Sequence, residues 1–71
     1  MKLYFERSSG EKILVGEYET KKQAYEGMNN FIHEKNPNYI IHYVREWRAE
    51  DNDECTVMDV GSHTEFFLLY D

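Results

Sequence analysis

Five polar residues in a row, Glu50-Asp51-Asn52-Asp53-Glu54, bring four carboxylates together. Carboxylates at that density can move protons, hold a hard cation, or present negative charge to a basic partner. The plainest reading of the run is a solvated loop. Asp51-Asn52-Asp53 matches the beginning of a calcium loop, but the glycine needed at the sixth loop position and the distal glutamate are missing. Cys55 follows directly and has the chemistry of a nucleophile. Its acidic neighbours would raise a thiol pKa, and cysteine is among the most buried residue types, so a core role is expected. His33, His42 and His63 share no close helical or loop spacing, and there is no second cysteine to complete a zinc site. The four glycines are isolated, so no phosphate-cradling loop is present. The expectation is a protein that is not an enzyme, with no catalytic residues, metal ligands or cofactor.

The charge has a second property, its one-sidedness. Residues 49–71 contain seven acids and no Lys or Arg, whereas residues 1–48 contain seven acids and eight bases. The formal charge of −6 therefore belongs to one end of the chain. Such a field attracts basic partners and repels phosphate backbones. A protein partner with a basic surface is expected, and the charge disfavours nucleic acid. The acidic contact set is predicted to be Glu50, Asp51, Asp53, Glu54, Asp59 and Glu65.

Seventy-one residues suffice for a single domain, 1–71. A domain of this size buries only ~60–65% of the surface of its unfolded chain, so good packing has to compensate. Six Tyr, four Phe and one Trp can supply it. The single cysteine cannot form an internal disulfide, which points to a reducing cytoplasm. Leu3-Tyr4-Phe5 is too short for a signal-peptide core, and nothing approaches the ~20 apolar residues of a membrane span.

These groups must be positioned by a small set of elements. Leu3-Tyr4-Phe5 and Ile13-Leu14-Val15 flank the turn signal Ser8-Ser9-Gly10-Glu11 and read as a β-hairpin. Thr20 with Gln23 three residues on fits a capping box. Ala24, Met28, Phe31 and Ile32 then form one stripe of an amphipathic helix, which Asn36-Pro37-Asn38 stops. Lys21 and Lys22 sit unfavourably at the positive end of that helix. Residues 39–48, 55–60 and 63–70 read as strands, the last two joined tightly through Gly61-Ser62. The fold class is α+β, ββαβββ, with a five-stranded antiparallel sheet of order 2-1-3-4-5 and the helix on one face.

A two-residue turn at Gly61-Ser62 would set Met58 opposite Glu65 and Val57 opposite Phe66. Cys55, Val57, Phe66, Leu68 and Tyr70 would then form core beneath the helix. Tyr39, Tyr43, Arg45, Trp47, Met58 and Phe67 would occupy the open face, where an exposed aromatic patch marks an interaction surface. The inverse assignment, with these aromatics as the core, satisfies the same pattern.

In size, in the Glu50–Glu54 cluster, in its lone cysteine and in its lack of an active-site motif, the chain resembles the small acidic accessory proteins encoded by bacteriophages, anti-CRISPR inhibitors among them. The resemblance implies an inhibitor that occupies the basic, nucleic-acid-binding site of a larger protein, with carboxylates standing in for a phosphate backbone. A second reading is a single-stranded nucleic-acid or peptide binder that stacks bases on Tyr39, Tyr43 and Trp47, with Arg45 meeting phosphate. A third is a homodimer formed through the aromatic face.

Overall fold

The computed structural model describes residues 1–39, 44–61 and 64–71. Its elements are β1 (Lys2–Glu6), β2 (Lys12–Glu17), α1 (Lys21–Lys35), β3 (Arg45–Ala49), β4 (Asn52–Asp59) and β5 (Phe66–Tyr70). The order ββαβββ and the antiparallel five-stranded sheet are as the sequence suggests. Element bounds differ at the acidic end. β4 begins at Asn52, so half of the acidic run is strand rather than loop, and β5 begins only at Phe66. Residues 40–43 of the expected third strand, with His42 and Tyr43, lie outside the described residues, as does His63.

The first hairpin turns where expected. Gly10 adopts φ +93°, a conformation that suits glycine, and its N–H donates to the Arg7 carbonyl at 2.8 Å. Thr20 caps α1, its Oγ1 accepting the Gln23 N–H at 3.2 Å, while Gln23 Oε1 accepts the Glu19 N–H at 3.0 Å. The reciprocal bond of the capping box thus reaches one residue further back than the usual pattern. At the other end the Asn36 N–H closes onto the Ile32 carbonyl at 2.8 Å, and Pro37 prevents continuation.

The strand order is 2-1-5-4-3, which corrects the expected 2-1-3-4-5. Both β3 and β5 run antiparallel to β1, so strand direction alone cannot choose between them. Side chains decide. β5 is Phe-Phe-Leu-Leu-Tyr, apolar on both faces, and belongs at the centre of the sheet. β3 carries Arg45, Glu46 and Arg48 and belongs at an edge, where charge discourages pairing with other chains.

The register of β4 against β5 is also corrected. Met58 pairs with Phe67 and Val57 with Leu68, two residues beyond the pairing that a two-residue turn would impose. The connecting segment is longer than that turn. Which face meets the helix is reversed for this hairpin. Met58, Val60, Phe67 and Leu69 pack with Leu3, Ala24 and Met28 in the buried core. Cys55, Val57, Phe66, Leu68 and Tyr70 lie on the opposite face, by the alternation of the same strands. β3 is oriented as expected, with Val44 packed on the core and Trp47 on the open side. Tyr18 fills the space between β2 and the helix: a β-carbon at Gly16 would lie 2.6 Å from its hydroxyl, and one at Gly27 would overlap the phenol.

Candidate functional site: the acidic hairpin and the open sheet face

β3 and β4 form a hairpin with Glu50 and Asp51 at its turn. Arg48 pairs with Thr56, but Ala49 pairs with Asn52, so Asp53, Glu54 and Cys55 have no counterparts on β3. An insertion of this kind bends the bulged strand and increases its twist. Asn52 Oδ1 accepts the Glu54 N–H at 2.9 Å and fixes the start of the bend. The Asp71 N–H donates to the Glu54 carbonyl at 2.8 Å and fixes its end. Glu50, Asp51, Asp53 and Glu54 are all exposed.

The cations of this hairpin are engaged elsewhere. Arg48 Nη1 meets Asp71 Oδ2 at 3.0 Å, and the Arg45 guanidinium lies 5.5 Å from the centre of the Trp47 ring. Among the described residues, none of the four tip carboxylates forms a salt bridge. The predicted acidic set is not one patch, however. Asp59 is only 2% exposed, and its Oδ1 accepts the Gly61 N–H at 2.8 Å, shaping the turn where Gly61 has φ +114°. It cannot present charge to a partner. Glu65 is half-buried and lines a pocket with Phe5, Phe31 and Tyr39 on the helix side.

The open face has a row of five apolar residues across all five strands: Leu14, Tyr4, Leu68, Val57 and Trp47. Leu14 is 52% exposed and Trp47 40%. Leu68, in the middle of the row, is only 7% exposed although no described element covers this face. Neighbouring rings shelter it: Tyr4 meets Tyr70 edge-on at 5.6 Å, and Trp47 meets Phe66 edge-on at 6.0 Å. Twist also makes the face concave along one diagonal. Lys12 and Glu6 from one corner and Ala49, Asp51 and Asn52 from the opposite corner surround a cavity of about 220 Å³ floored by Cys55, Leu68 and Tyr70.

Of the predicted aromatic contact set, Arg45 and Trp47 lie on the open face and Tyr43 is outside the described residues. Met58 and Phe67 are fully buried beneath the helix, because the helix stripe packs on their side of the sheet. Tyr39 lies by the C-terminal end of α1, its hydroxyl donating to the Val60 carbonyl at 2.7 Å. Sequence reasoning missed Tyr4, Leu14, Val57, Phe66 and Tyr70. The unbroken apolar run of β5 was the signal that could have found them, since a strand apolar on both sides needs apolar neighbours on both sides.

Cys55 is buried, and burial pushes its thiol pKa up, partly opposed by a hydrogen bond with Tyr70. His33 is exposed on the helix. Among the described residues, no group of three or more His, Cys, Asp or Glu side chains is placed to hold a metal ion. On the helix side, Glu46 of the edge strand joins Lys21, at 2.6 Å, and the Tyr25 hydroxyl. Hydrogen bonds from Lys21 and Tyr25 lower the Glu46 pKa. Desolvation, reinforced by Glu46, pushes Tyr25 up to about 12. Glu46 thus neutralises Lys21, one of the two cations at the unfavourable end of the helix dipole.

No helix among the described residues is long and apolar enough to cross a membrane. No protein-family model matches the chain, and no curated protein or solved structure matches it, so the geometry carries the functional argument alone.

Proposed function

We propose that this chain is a non-catalytic protein-binding module whose β3–β4 hairpin engages a basic surface on a larger protein. The observation that supports the reading is the state of the hairpin tip. Four exposed carboxylates stand at a bend with no salt-bridge partner among the described residues, and the two arginines of the same hairpin are held by Trp47 and Asp71. Charge in that state steers encounter with a cationic groove and competes for contacts that a phosphate backbone would make. In its sharpest form the reading is a phage-type inhibitor of a nucleic-acid-binding protein.

Base stacking on the sheet is less well supported. Tyr39 is on the helix side, and Arg45 already lies against Trp47. The test is affinity capture from bacterial lysate with the wild type and with a variant carrying Glu50→Gln, Asp51→Asn, Asp53→Asn and Glu54→Gln. Capture of a basic nucleic-acid-binding protein by the wild type alone, reversed by added duplex DNA, is the expected result. Equal capture by the two chains would remove the tip from the function.

A further inference from the structure

The open face carries a charge pattern that is complementary to itself under one particular symmetry. Beside the central apolar row, one margin holds Glu17, Lys2 and Tyr70, with Lys2 paired to Glu17 at 3.7 Å. The other margin holds Lys12, Glu6 and Phe66, with Arg45 at the far end on β3. The charges on the face are three exposed cations, Lys2, Lys12 and Arg45, against exposed Glu17 and Asp51 and half-buried Glu6, with buried Asp59 paired to Arg45 on the neighbouring strand. In a chain of net charge −6 this face is close to balanced, so a second copy meets little net repulsion there.

We propose that the open face is the interface of a homodimer whose two-fold axis runs along the Leu14–Trp47 row, perpendicular to the strands. This rotation exchanges the two margins. Lys2 comes opposite the second copy's Glu6, Glu17 opposite its Lys12, and Tyr70 opposite its Phe66, while the central row stacks on itself. The shape agrees. A twisted sheet is a saddle, and two copies related by such an axis nest, each raised corner filling the place where the other falls away. The raised Lys12 corner meets Glu17, and the raised hairpin corner meets Arg45. A two-fold axis parallel to the strands would instead bring Lys12 onto Arg45, so only one dyad is compatible with the charges.

Five strands about 4.8 Å apart and five residues long give a face of roughly 20 × 17 Å. Two of them bury roughly 700 Å², below the usual size of a stable specific interface, so the dimer is a weak one that forms at high protein concentration. The proposal goes beyond the tip's binding role. Asp51 lines the open-face cavity and belongs to the corner that meets the second copy's Arg45, whereas Glu50, Asp53 and Glu54 do not line that cavity and remain available to a partner.

Sedimentation equilibrium of the purified chain up to about 1 mM tests it, with four proteins compared. The wild type is expected to associate. The swap Lys2→Glu/Glu17→Lys keeps the internal ion pair and the net charge but sets like charges across the interface, and should weaken association by about tenfold or more. Adding Glu6→Lys/Lys12→Glu restores every opposition and should restore the dimer. Leu14→Glu, at a half-exposed position on the edge strand, should weaken it independently. A wild type that stays monomeric throughout, a double swap or Leu14→Glu that associates normally, or a quadruple swap that fails to recover would each overturn the proposal. None of these variants touches the acidic tip, so failure of the dimer and failure of the tip's binding role are told apart.

Discussion

The two faces of this sheet are made of nearly the same side chains and have opposite fates. Phe67 and Leu69 are sealed under α1, while Phe66, Leu68 and Tyr70, their immediate neighbours in the chain, look the other way. Beneath the helix, aromatic rings interlock across layers: Phe31 meets Phe67 edge-on at 5.9 Å, and Phe5 lies 5.2 Å from Phe31. On the open side the ring pairs Tyr4–Tyr70 and Trp47–Phe66 flank a nearly buried Leu68, and no described element forms a second layer. Apolar composition therefore does not identify a core. A covering element identifies it, and without one aromatic residues can only partly shield what lies below.

The strongest way to break this comparison is to truncate matched residues on the two sides. Phe67→Ala empties a fully buried site and should cost about 3–5 kcal/mol. That is enough to unfold much of a domain this small. Phe66→Ala removes a partly exposed ring and should cost no more than about half as much. Urea denaturation of both variants decides the matter. Equal losses would mean that the open face is as much a core as the covered one.

A smaller effect isolates the seam between helix and sheet. Glycine inside a helix normally costs about 1 kcal/mol relative to alanine, so Gly27→Ala would stabilise an ordinary exposed position. Here the added methyl overlaps the Tyr18 phenol, and overpacking costs about 1–3 kcal/mol, so the gain is cancelled and the net change should be destabilising by up to about 2 kcal/mol. A raised thermal midpoint would show that Tyr18 moves freely out of the seam.

The contrast between the faces also explains how much could be read from the chain. The helix was legible because four signals agree on it: a cap at Thr20, the stripe Ala24-Met28-Phe31-Ile32, the stop at Pro37 and the change of period. The acidic tip was legible because charge is a property of sequence. The order of strands was not, because β3 and β5 have the same direction relative to β1 and loop length does not exclude either. The faces were misassigned for a related reason. A strand apolar on both sides gives no alternation to read, so the side of β5 that meets the helix depends on its partners rather than on itself. Asp59 shows the same limit on a single residue: nothing in an acidic sequence distinguishes a carboxylate that accepts a turn N–H from one in solvent.

Trp47 tests the open face more gently. Trp47 is 40% exposed, its ring meets Phe66 edge-on, and the Arg45 guanidinium lies over it. Trp47→Ala should cost about 1 kcal/mol of stability, below the usual cost of removing a buried aromatic. A loss of several kcal/mol would place Trp47 in the core after all.

The smallest expected effect lies at the rim of the covered face, where Glu46 ties the edge strand to Lys21 and Tyr25. The two titrations act at opposite ends of the pH scale. The Glu46 pKa is depressed from 4.5, so its contribution is present above the ordinary carboxylate range and is lost as pH falls through the depressed value. The Tyr25 pKa is raised from 10.0 to about 12, so its contribution is complete below 10.0 and fades as pH rises toward 12. Because the Glu46 and Lys21 side chains are 35% and 48% exposed, solvent screening holds the Glu46 contribution to less than about 1 kcal/mol. Glu46→Gln should therefore lower stability slightly at neutral pH, flatten its acid dependence and move tyrosinate formation at Tyr25 back toward 10.0. Desolvation is the largest cause of the Tyr25 shift, so the shift should shrink rather than vanish. Thermal melts across pH, with tyrosinate absorbance read in parallel, would show whether the rim is an electrostatic clasp or only the margin of an apolar layer: a variant with unchanged acid and alkaline limbs would leave packing alone to hold β3 against the helix.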